Sequence, residues 1–134
     1  MFEQDIFHSA VQNALEKEDW IITHNPMLVR LGGLEMSIHL GAEKIIGAEK
    51  GREKIAVAVK NFLGASTISE FHTALGQFIN YRFALEEQDP DRKLYLAIPF
   101  GIYRTFFGLP FVQSIVQRYE IGLIVYDPEH EVIL

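Results

Sequence analysis

A lysine at the end of an alternating apolar segment is the first residue whose position suggests chemistry. In "KIAVAVKNF", residues 54–62, side chains alternate between two faces as they do along a β-strand. The β-branched residues share one face, and the other face carries Ala56, Ala58 and Lys60. A lysine there faces a cleft or a helix end, or else ends the strand with its amine in water. The segment therefore indicates a polar position where this strand ends.

Other polar residues with suggestive spacing lie on both sides of this strand. Gln77 and Tyr81, in "QFINY", are four residues apart and so share one face of a helix. They could contact nucleic acid or only satisfy backbone groups under a sheet. His39 ends an alternating segment, and a lone histidine is more often a hydrogen-bonded structural residue than a ligand.

Composition limits the classes of protein that fit. The chain has 134 residues, which suits one domain spanning residues 1–134, and its formal net charge is −6. An acidic balance opposes strong non-specific binding to nucleic acid. There are no cysteines, so a disulfide framework and a thiolate metal site are excluded. With no long apolar run and an acidic N-terminus, we expect a cytoplasmic protein.

The first half of the chain predicts one helix, a short strand or extended segment, and three further strands. Apolar residues recur at helical spacing from Ile6 to Leu15. "WIITH" is short and β-branched, which favours a strand or an extended segment, and "NPM" breaks the pattern. The stretch from Leu34 to Leu40 alternates as a half-buried strand. "AEKIIGAEKGREKIAVAVKNF" predicts two strands joined by a turn around Lys50, Gly51 and Arg52.

The second half predicts two helices and two buried strands. Thr67 and Glu70 have the spacing of a capping box, and a helical pattern then continues to about Glu87. "KLYLAIP" and "IGLIVYDP" are near-continuous apolar strands, and residues 106–119 between them are helical. The predicted order α-β-β-β-α-β-α-β gives an α/β (α+β) fold, a mixed β-sheet flanked by helices.

The lysine strand in this order resembles that of the PD-(D/E)XK metal-dependent nucleases. In that superfamily a glutamate stands two residues before the lysine, and an aspartate comes from the preceding strand. The two carboxylates bind Mg²⁺, a cation that takes hard oxygen ligands, and the lysine steadies the attacking water or the developing phosphate charge. "QFINY" is similar to the Q-x-x-x-Y signature of RecB-type nucleases.

A closer resemblance covers nearly the whole chain. "DIFHSAVQNALEKEDWIITHNP", "LGAEKIIGAEKGREKIAVAVKNFLG", "ALGQFINYR" and "LYLAIPFGIY...IGLIVYDPE" resemble the XisH family, the fdxN element excision controlling factors. The resemblance implies a restriction-endonuclease-like fold and a role in assisting excision of a DNA element by a site-specific recombinase. It also implies a companion protein called XisI as a partner.

The sequence departs from the family pattern where a metal would bind. The resemblance places an aspartate before "LGAE" and a glutamate in the lysine strand, and this chain has His39 and Ala58 there. Lys60, Gln77 and Tyr81 are retained. Without the two carboxylates nothing holds Mg²⁺ against its hydration shell. We therefore expect no cofactor, and a non-catalytic accessory factor that acts through protein partners.

Two alternatives stay open at this point. A metal-dependent deoxyribonuclease, with Mg²⁺ as cofactor, would need Glu43 or Glu49 as a migrated ligand, delivered by the strand register or a bulge. A non-catalytic DNA-binding module would instead gather basic residues on one surface. Those basic residues would be Arg82, Arg92, Lys93 and Arg104.

An apolar segment raises the question of self-association. Phe106, Phe107 and Phe111 cluster beside "GLP", and such residues either belong to the core or leave apolar surface for a partner. A homodimer is consistent with the second reading.

Overall fold

The structure, a computed structural model, describes residues 3–47 and 51–134. Its helices are α1 (Glu3–Lys17), α2 (Thr67–Gln88), α3 (Phe100–Arg104) and α4 (Pro110–Arg118), with a three-ten turn at Phe106–Gly108 between the last two. Its strands are β1 (Ile21–His24), β2 (Met27–Leu31), β3 (Leu34–Ile38), β4 (Leu40–Gly47), β5 (Gly51–Val59), β6 (Arg92–Pro99), β7 (Leu123–Asp127) and β8 (Val132–Ile133).

A six-stranded mixed sheet forms the centre of the fold, in the order β1-β4-β5-β6-β7-β8. β5, β6 and β7 run parallel, and the other neighbouring pairs are antiparallel. The predicted mixed sheet with flanking helices is confirmed. The predicted hairpin is present as the β4–β5 pair, although Lys50 of its turn lies outside the described residues. Gly51 opens β5 with φ 72°, a conformation that glycine adopts without steric cost.

The predicted single strand from Leu34 to Leu40 is wrong, because it divides at His39. The part before His39 is β3, which pairs with β2 in a separate two-stranded sheet, and the part after it is β4 of the main sheet. Gly32 and Gly33, both at positive φ, form the two-residue turn between β2 and β3. The prediction missed β2, and His39 therefore lies at the junction between the two sheets.

β5 separates two hydrophobic cores, as its alternation predicted. Ile55 and Val57 pack in a cluster with α1, whereas Ala56 and Ala58 pack in a cluster with α2. Small side chains on the second face leave room for the large residues of the helix. The buried residues that α2 contributes are Phe71, Ala74, Phe78, Ala84 and Leu85.

The helix α2 begins with a different cap from the predicted one. Ser66 is the N-cap residue, and its side-chain oxygen accepts a hydrogen bond from the N–H of Ser69 at 3.3 Å. The predicted capping box of Thr67 and Glu70 is wrong by one position. The Glu70 carboxylate instead accepts from the N–H of Gly64, so it turns toward the loop that precedes the helix.

The phenylalanines beside "GLP" divide between core and surface. Phe107 is buried and meets Phe62 and Phe71 edge to face, and Phe106 is half-buried against the same two rings. Phe111 is 63% exposed. The predicted helix over residues 106–119 is shorter in the structure because Pro110 begins α4. Within the described ranges, no helix combines the length and the apolar character needed to cross a membrane.

Candidate functional site

A polar cleft of about 180 Å³ lies where β5 ends. Three parts of the fold build it: the residue before β4, the end of β5 with the loop after it, and the first half of α2. The cleft is lined by His39, Val59, Lys60, Asn61, Glu70 and Gln77. Lys60 and Gln77, which the sequence analysis singled out separately, therefore face the same space.

Lys60 shares the cleft with an acidic partner. Its backbone N–H donates to the carbonyl of Ala97 in β6 at 3.1 Å, which fixes the start of the loop after β5. Its Nζ atom lies 3.7 Å from Oε1 of Glu70, and both side chains are mostly buried. The other oxygen of Glu70 accepts from Gly64. The lysine charge is thus balanced within the protein, which reduces its attraction for an external phosphate.

The ring of His39 accepts a backbone hydrogen bond where the pairing of β4 and β5 ends. Its Nδ1 atom accepts a hydrogen bond from the N–H of Val59 at 3.0 Å. A neutral imidazole nitrogen that accepts carries no proton, so the neutral ring carries its proton on Nε2. A metal bound through Nε2 would force the proton onto Nδ1, against the N–H of Val59. This geometry opposes metal binding by His39.

The surroundings of His39 favour its neutral form. Although part of the residue reaches solvent, burial against neighbouring atoms lowers its pKa below 6.5, and the charges of His8 and Lys60 lower it further. Protonation would also place an N–H against the N–H of Val59. His39 is therefore a neutral acceptor near pH 7.

A second histidine stands against His39 on the side of α1. The ring of His8 meets that of His39 edge to face, with the centroids 5.8 Å apart. Nε2 of His8 lies 2.7 Å from Oδ1 of Asn25, whose amide nitrogen donates to Oε1 of Gln12 at 3.0 Å. Because the Asn25 oxygen is the acceptor, His8 donates from Nε2. These bonds hold α1 beside the cleft.

Ala58 occupies the position where the resemblance implies a carboxylate. It is 8% exposed and packs within the core beneath α2. An alanine offers no oxygen, and its surroundings are apolar. Ala58 therefore cannot ligate a hard cation.

The structure separates the two residues of the Q-x-x-x-Y pattern. Gln77 lines the cleft. Tyr81, one turn further along α2, is half-buried against the core, and this burial raises the pKa of its phenol. Their predicted link to nucleic acid stays a prediction.

The candidate migrated ligands do not complete a metal site in the described part of the chain. In the register of β4 and β5, Glu43 lies opposite Lys54, and Lys54 is six residues before Lys60. The Glu43 carboxylate is 3.7 Å from the guanidinium of Arg52. It lies roughly 20 Å along the strand from the cleft. Glu49 lies outside the described residues. Among the side chains that the structure describes, no three His, Asp or Glu residues are grouped as metal ligands, so these described residues do not fit the Mg²⁺ site of the nucleases.

Three of the four basic residues expected of a DNA-binding module line one open cavity, and the fourth lies elsewhere. Arg82 donates to the carbonyls of Tyr119 and Glu120, just beyond α4. Arg92 is buried and donates to the carbonyl of Ile55 at 2.8 Å. Both line one open cavity with Lys93, and carboxylates of Glu86, Asp91 and Glu120 line it too.

Arg104 lies beyond the opposite end of β6, with its guanidinium 5.7 Å from the ring of Phe100. Arg104 thus lies apart from the other three, which share their cavity with acidic residues. The four residues therefore do not form one basic surface, and DNA binding stays a prediction.

Sequence reasoning missed the place of Glu70 in the site and the bond between His8 and Asn25. The spacing of Thr67 and Glu70 assigned the glutamate to a helix cap, whereas in the structure Ser66, one residue earlier, is the N-cap. Glu70 is therefore free of the capping role and bonds to Gly64 instead. His8 and Asn25 are 17 residues apart, and no local pattern links them.

The fold and the cleft together define an α/β protein with a mixed sheet, flanking helices and a lysine cleft without a carboxylate pair in its described lining. The family model described as "XisH protein" matches residues 1–134. The chain belongs to the XisH family.

Two solved structures are similar to this chain over nearly its whole length. One is the crystal structure of an XisH family protein from Nostoc punctiforme, with 48% sequence identity, a TM-score of 0.89 and 97% of each chain covered. The other is an fdxN element excision controlling factor protein from Anabaena variabilis, with 49% identity and a TM-score of 0.89, covering 97% of this chain and 96% of that one. No curated protein matches the chain.

Proposed function

We propose that this protein is a non-catalytic accessory factor that controls the site-specific excision of a DNA element. The excision role is supported by family membership and by the similar protein from Anabaena variabilis, which is an fdxN element excision controlling factor. In this proposal the fold is a restriction-endonuclease-like one whose active site has degenerated. The protein then acts through partners, an XisI-like companion and the recombinase.

The observation that carries the non-catalytic part is the bond between His39 and Val59. The histidine stands where the resemblance implies a metal-binding aspartate, and its Nδ1 lone pair is used by a backbone N–H. Ala58 supplies no oxygen at the second ligand position. Both positions have thus become structural.

Calorimetric titration with Mn²⁺ tests this proposal. We expect no binding by the native protein, and binding by the double variant His39→Asp, Ala58→Glu. The matched control is His39→Asp, Ala58→Gln, which has nearly the same shape without the second charge. A thermal melt of each variant establishes that it is folded. Binding of Mn²⁺ by the native protein with a defined stoichiometry would overturn the proposal.

One observation favours the nuclease alternative, namely the Glu70 carboxylate beside Lys60. Its two oxygens are engaged by Lys60 and Gly64, and a single carboxylate is short of the ligand set that Mg²⁺ takes in nucleases. An excision assay in cells that depend on the supplied factor separates the two functions. An accessory factor with Lys60→Met should support excision at the level of Lys93→Met, whereas a nuclease should lose activity only with Lys60→Met.

A further inference from the structure

The solvent-facing side of α2 carries an apolar strip that the described part of the chain leaves exposed. We call it the α2 strip and define it by Ile68, His72, Gly76, Ile79 and Phe83. These positions are three to four residues apart, so they follow one side of the helix. Ile68 is 42% exposed, Ile79 43% and Phe83 60%. The opposite side of the same helix supplies its buried core residues.

Packing among the described residues does not require glycine at position 76. A β-carbon added to Gly76 would meet none of their atoms within 4 Å, and its φ is not in the left-handed region that requires glycine. Glycine in the interior of a helix is unfavourable compared with alanine. A glycine beside exposed apolar residues is suited to the close approach of another backbone.

The charges at the two ends of α2 are complementary to each other. Glu86 and Glu87 lie in its last turn, which contains no basic residue, and this is unfavourable for the helix dipole of the same chain. At the other end, the first-turn acid Glu70 points into the cleft. The strip near Ile68 and His72 therefore carries no carboxylate and lies at the positive end of the dipole.

We infer that the α2 strip binds the α2 strip of a second copy of this chain, with the two helices antiparallel about a two-fold axis. In this arrangement the acidic end of each helix lies beside the positive end of the other. Ile79 of each copy packs over Gly76 of the other, because a two-fold axis between these positions exchanges them. A parallel arrangement would bring Glu86 and Glu87 of both copies together.

Charge also favours a second copy over nucleic acid as the partner of the α2 strip. A phosphate backbone along α2 would meet Glu86 and Glu87, and no arginine or lysine belongs to the strip. The inference is independent of the proposed function, since it concerns neither the cleft nor excision.

Light scattering after size-exclusion chromatography tests the arrangement. We expect the native protein at twice the 15.3 kDa of one chain, and Phe83→Glu at half the native value. The matched control is Phe111→Glu on α4, which alters a phenylalanine that is 63% exposed outside the strip. This control should keep the native mass. A native mass of one chain, or a halved mass for the control alone, would overturn the inference.

The variant Gly76→Leu distinguishes a specific interface from non-specific hydrophobic association. Leucine is more apolar and a better helix former than glycine, so non-specific association would strengthen. Our arrangement requires the opposite, because leucine blocks the approach of Ile79 from the second copy, and the mass should fall by half.

A cross-link provides a second measurement that does not depend on affinity. The chain contains no cysteine, so Ile79→Cys introduces a single thiol near the two-fold axis. Under mild oxidation it should form a disulfide-linked dimer far faster than Phe111→Cys. Equal rates for the two variants would count against the α2 strip as the interface.

Discussion

The Nζ atom of Lys60 and the Oε1 atom of Glu70 lie 3.7 Å apart, at the border between the end of β5 and the start of α2. The lysine that the resemblance links to phosphate chemistry is thus paired with an acid of its own chain. The same acid accepts a hydrogen bond from Gly64, so it joins the loop after β5 to the helix that follows.

Removal of the Glu70 carboxylate should destabilise the protein. Glu70→Ala leaves the N–H of Gly64 without its acceptor and Lys60 without its partner, and we expect a loss of about 1 kcal/mol in the free energy of unfolding. Urea unfolding monitored by circular dichroism measures this loss. Glu87→Ala, an exposed change on the same helix, should stay within about 0.5 kcal/mol of the native value. Equal losses would show that the contacts of Glu70 contribute nothing specific.

His39 should make stability depend on pH below its ordinary pKa of 6.5. Because its folded pKa is lowered, the unfolded chain binds a proton more readily. Stability from His39 is therefore fully present above 6.5 and is lost as the pH falls through the folded pKa. His39→Asn keeps an acceptor for Val59 but does not titrate in this range. We expect a shallower fall in stability between about pH 7 and 5 for this variant.

His130 changes stability with pH in the opposite direction to His39, so the experiment needs a control for it. A hydrogen bond from its ring to Asp127, with the charge of that carboxylate, raises the pKa of His130. Its contribution is present at low pH and is lost as the pH rises through the folded pKa. Repeating the comparison in a His130→Asn background removes this opposing effect. If the His39 difference then disappears, the prediction for His39 is wrong.

Arg92 should be among the least replaceable charged residues. Its buried guanidinium donates to the carbonyl of Ile55 and lies 3.0 Å from Asp89, which also accepts from Lys54. Arg92→Met leaves these groups with fewer partners and should cost about 2 kcal/mol. Lys93→Met, at the exposed neighbouring position, should have little effect. Chemical denaturation compares the two, and similar midpoints would contradict the prediction.

Asp89 itself should contribute to acid unfolding. Burial alone would raise its pKa, but the hydrogen bonds and charges of Lys54 and Arg92 outweigh that effect and lower it. The stabilisation is therefore present above the usual value of 3.8 and is lost as the pH falls through the lower folded value. Asp89→Asn should flatten the pH dependence of the unfolding midpoint below about pH 4. If the pH dependence of the unfolding midpoint in acid were unchanged in this variant, the assignment to Asp89 would be wrong.

Tyr126 should tolerate the loss of its hydroxyl. The residue is fully buried, and its hydroxyl has no hydrogen-bond partner among the described residues. Burying such a group without a partner costs free energy. Tyr126→Phe should therefore leave stability unchanged or raise it by about 1 kcal/mol. A clear loss in thermal unfolding, compared with exposed Tyr103→Phe, would reveal a partner for the hydroxyl.

Periodicity was sufficient where each face of an element packs against one layer. The helix α2, the strands β6 and β7 and the two faces of β5 follow from spacing alone, because the apolar residues of each face meet a single core. The division at His39 did not follow, since the alternation from Leu34 to Leu40 continues across two different sheets. Only strand pairing distinguishes them.

The site shows the same limit. Lys60 and Gln77 could be assigned to polar positions because the strand and the helix each have a regular period. The acceptor role of His39 depends on where β4 stops pairing with β5. The position of Glu70 depends on whether Ser66 or Thr67 caps α2. Both are decided by backbone contacts between segments that are distant in sequence.

The β2–β3 hairpin leaves the main sheet after β1 and returns to it at β4, so its tip belongs to neither core. Gly32 and Gly33 form that tip, and a β-carbon added at either would meet no atom of the described residues within 4 Å. Exposed tips of this kind accept inserted segments with little loss of stability. A fluorescent or affinity tag placed between these two glycines should leave the cleft and the α2 strip intact. The hairpin thus provides a permissive site for labelling the folded protein in assays of excision and self-association.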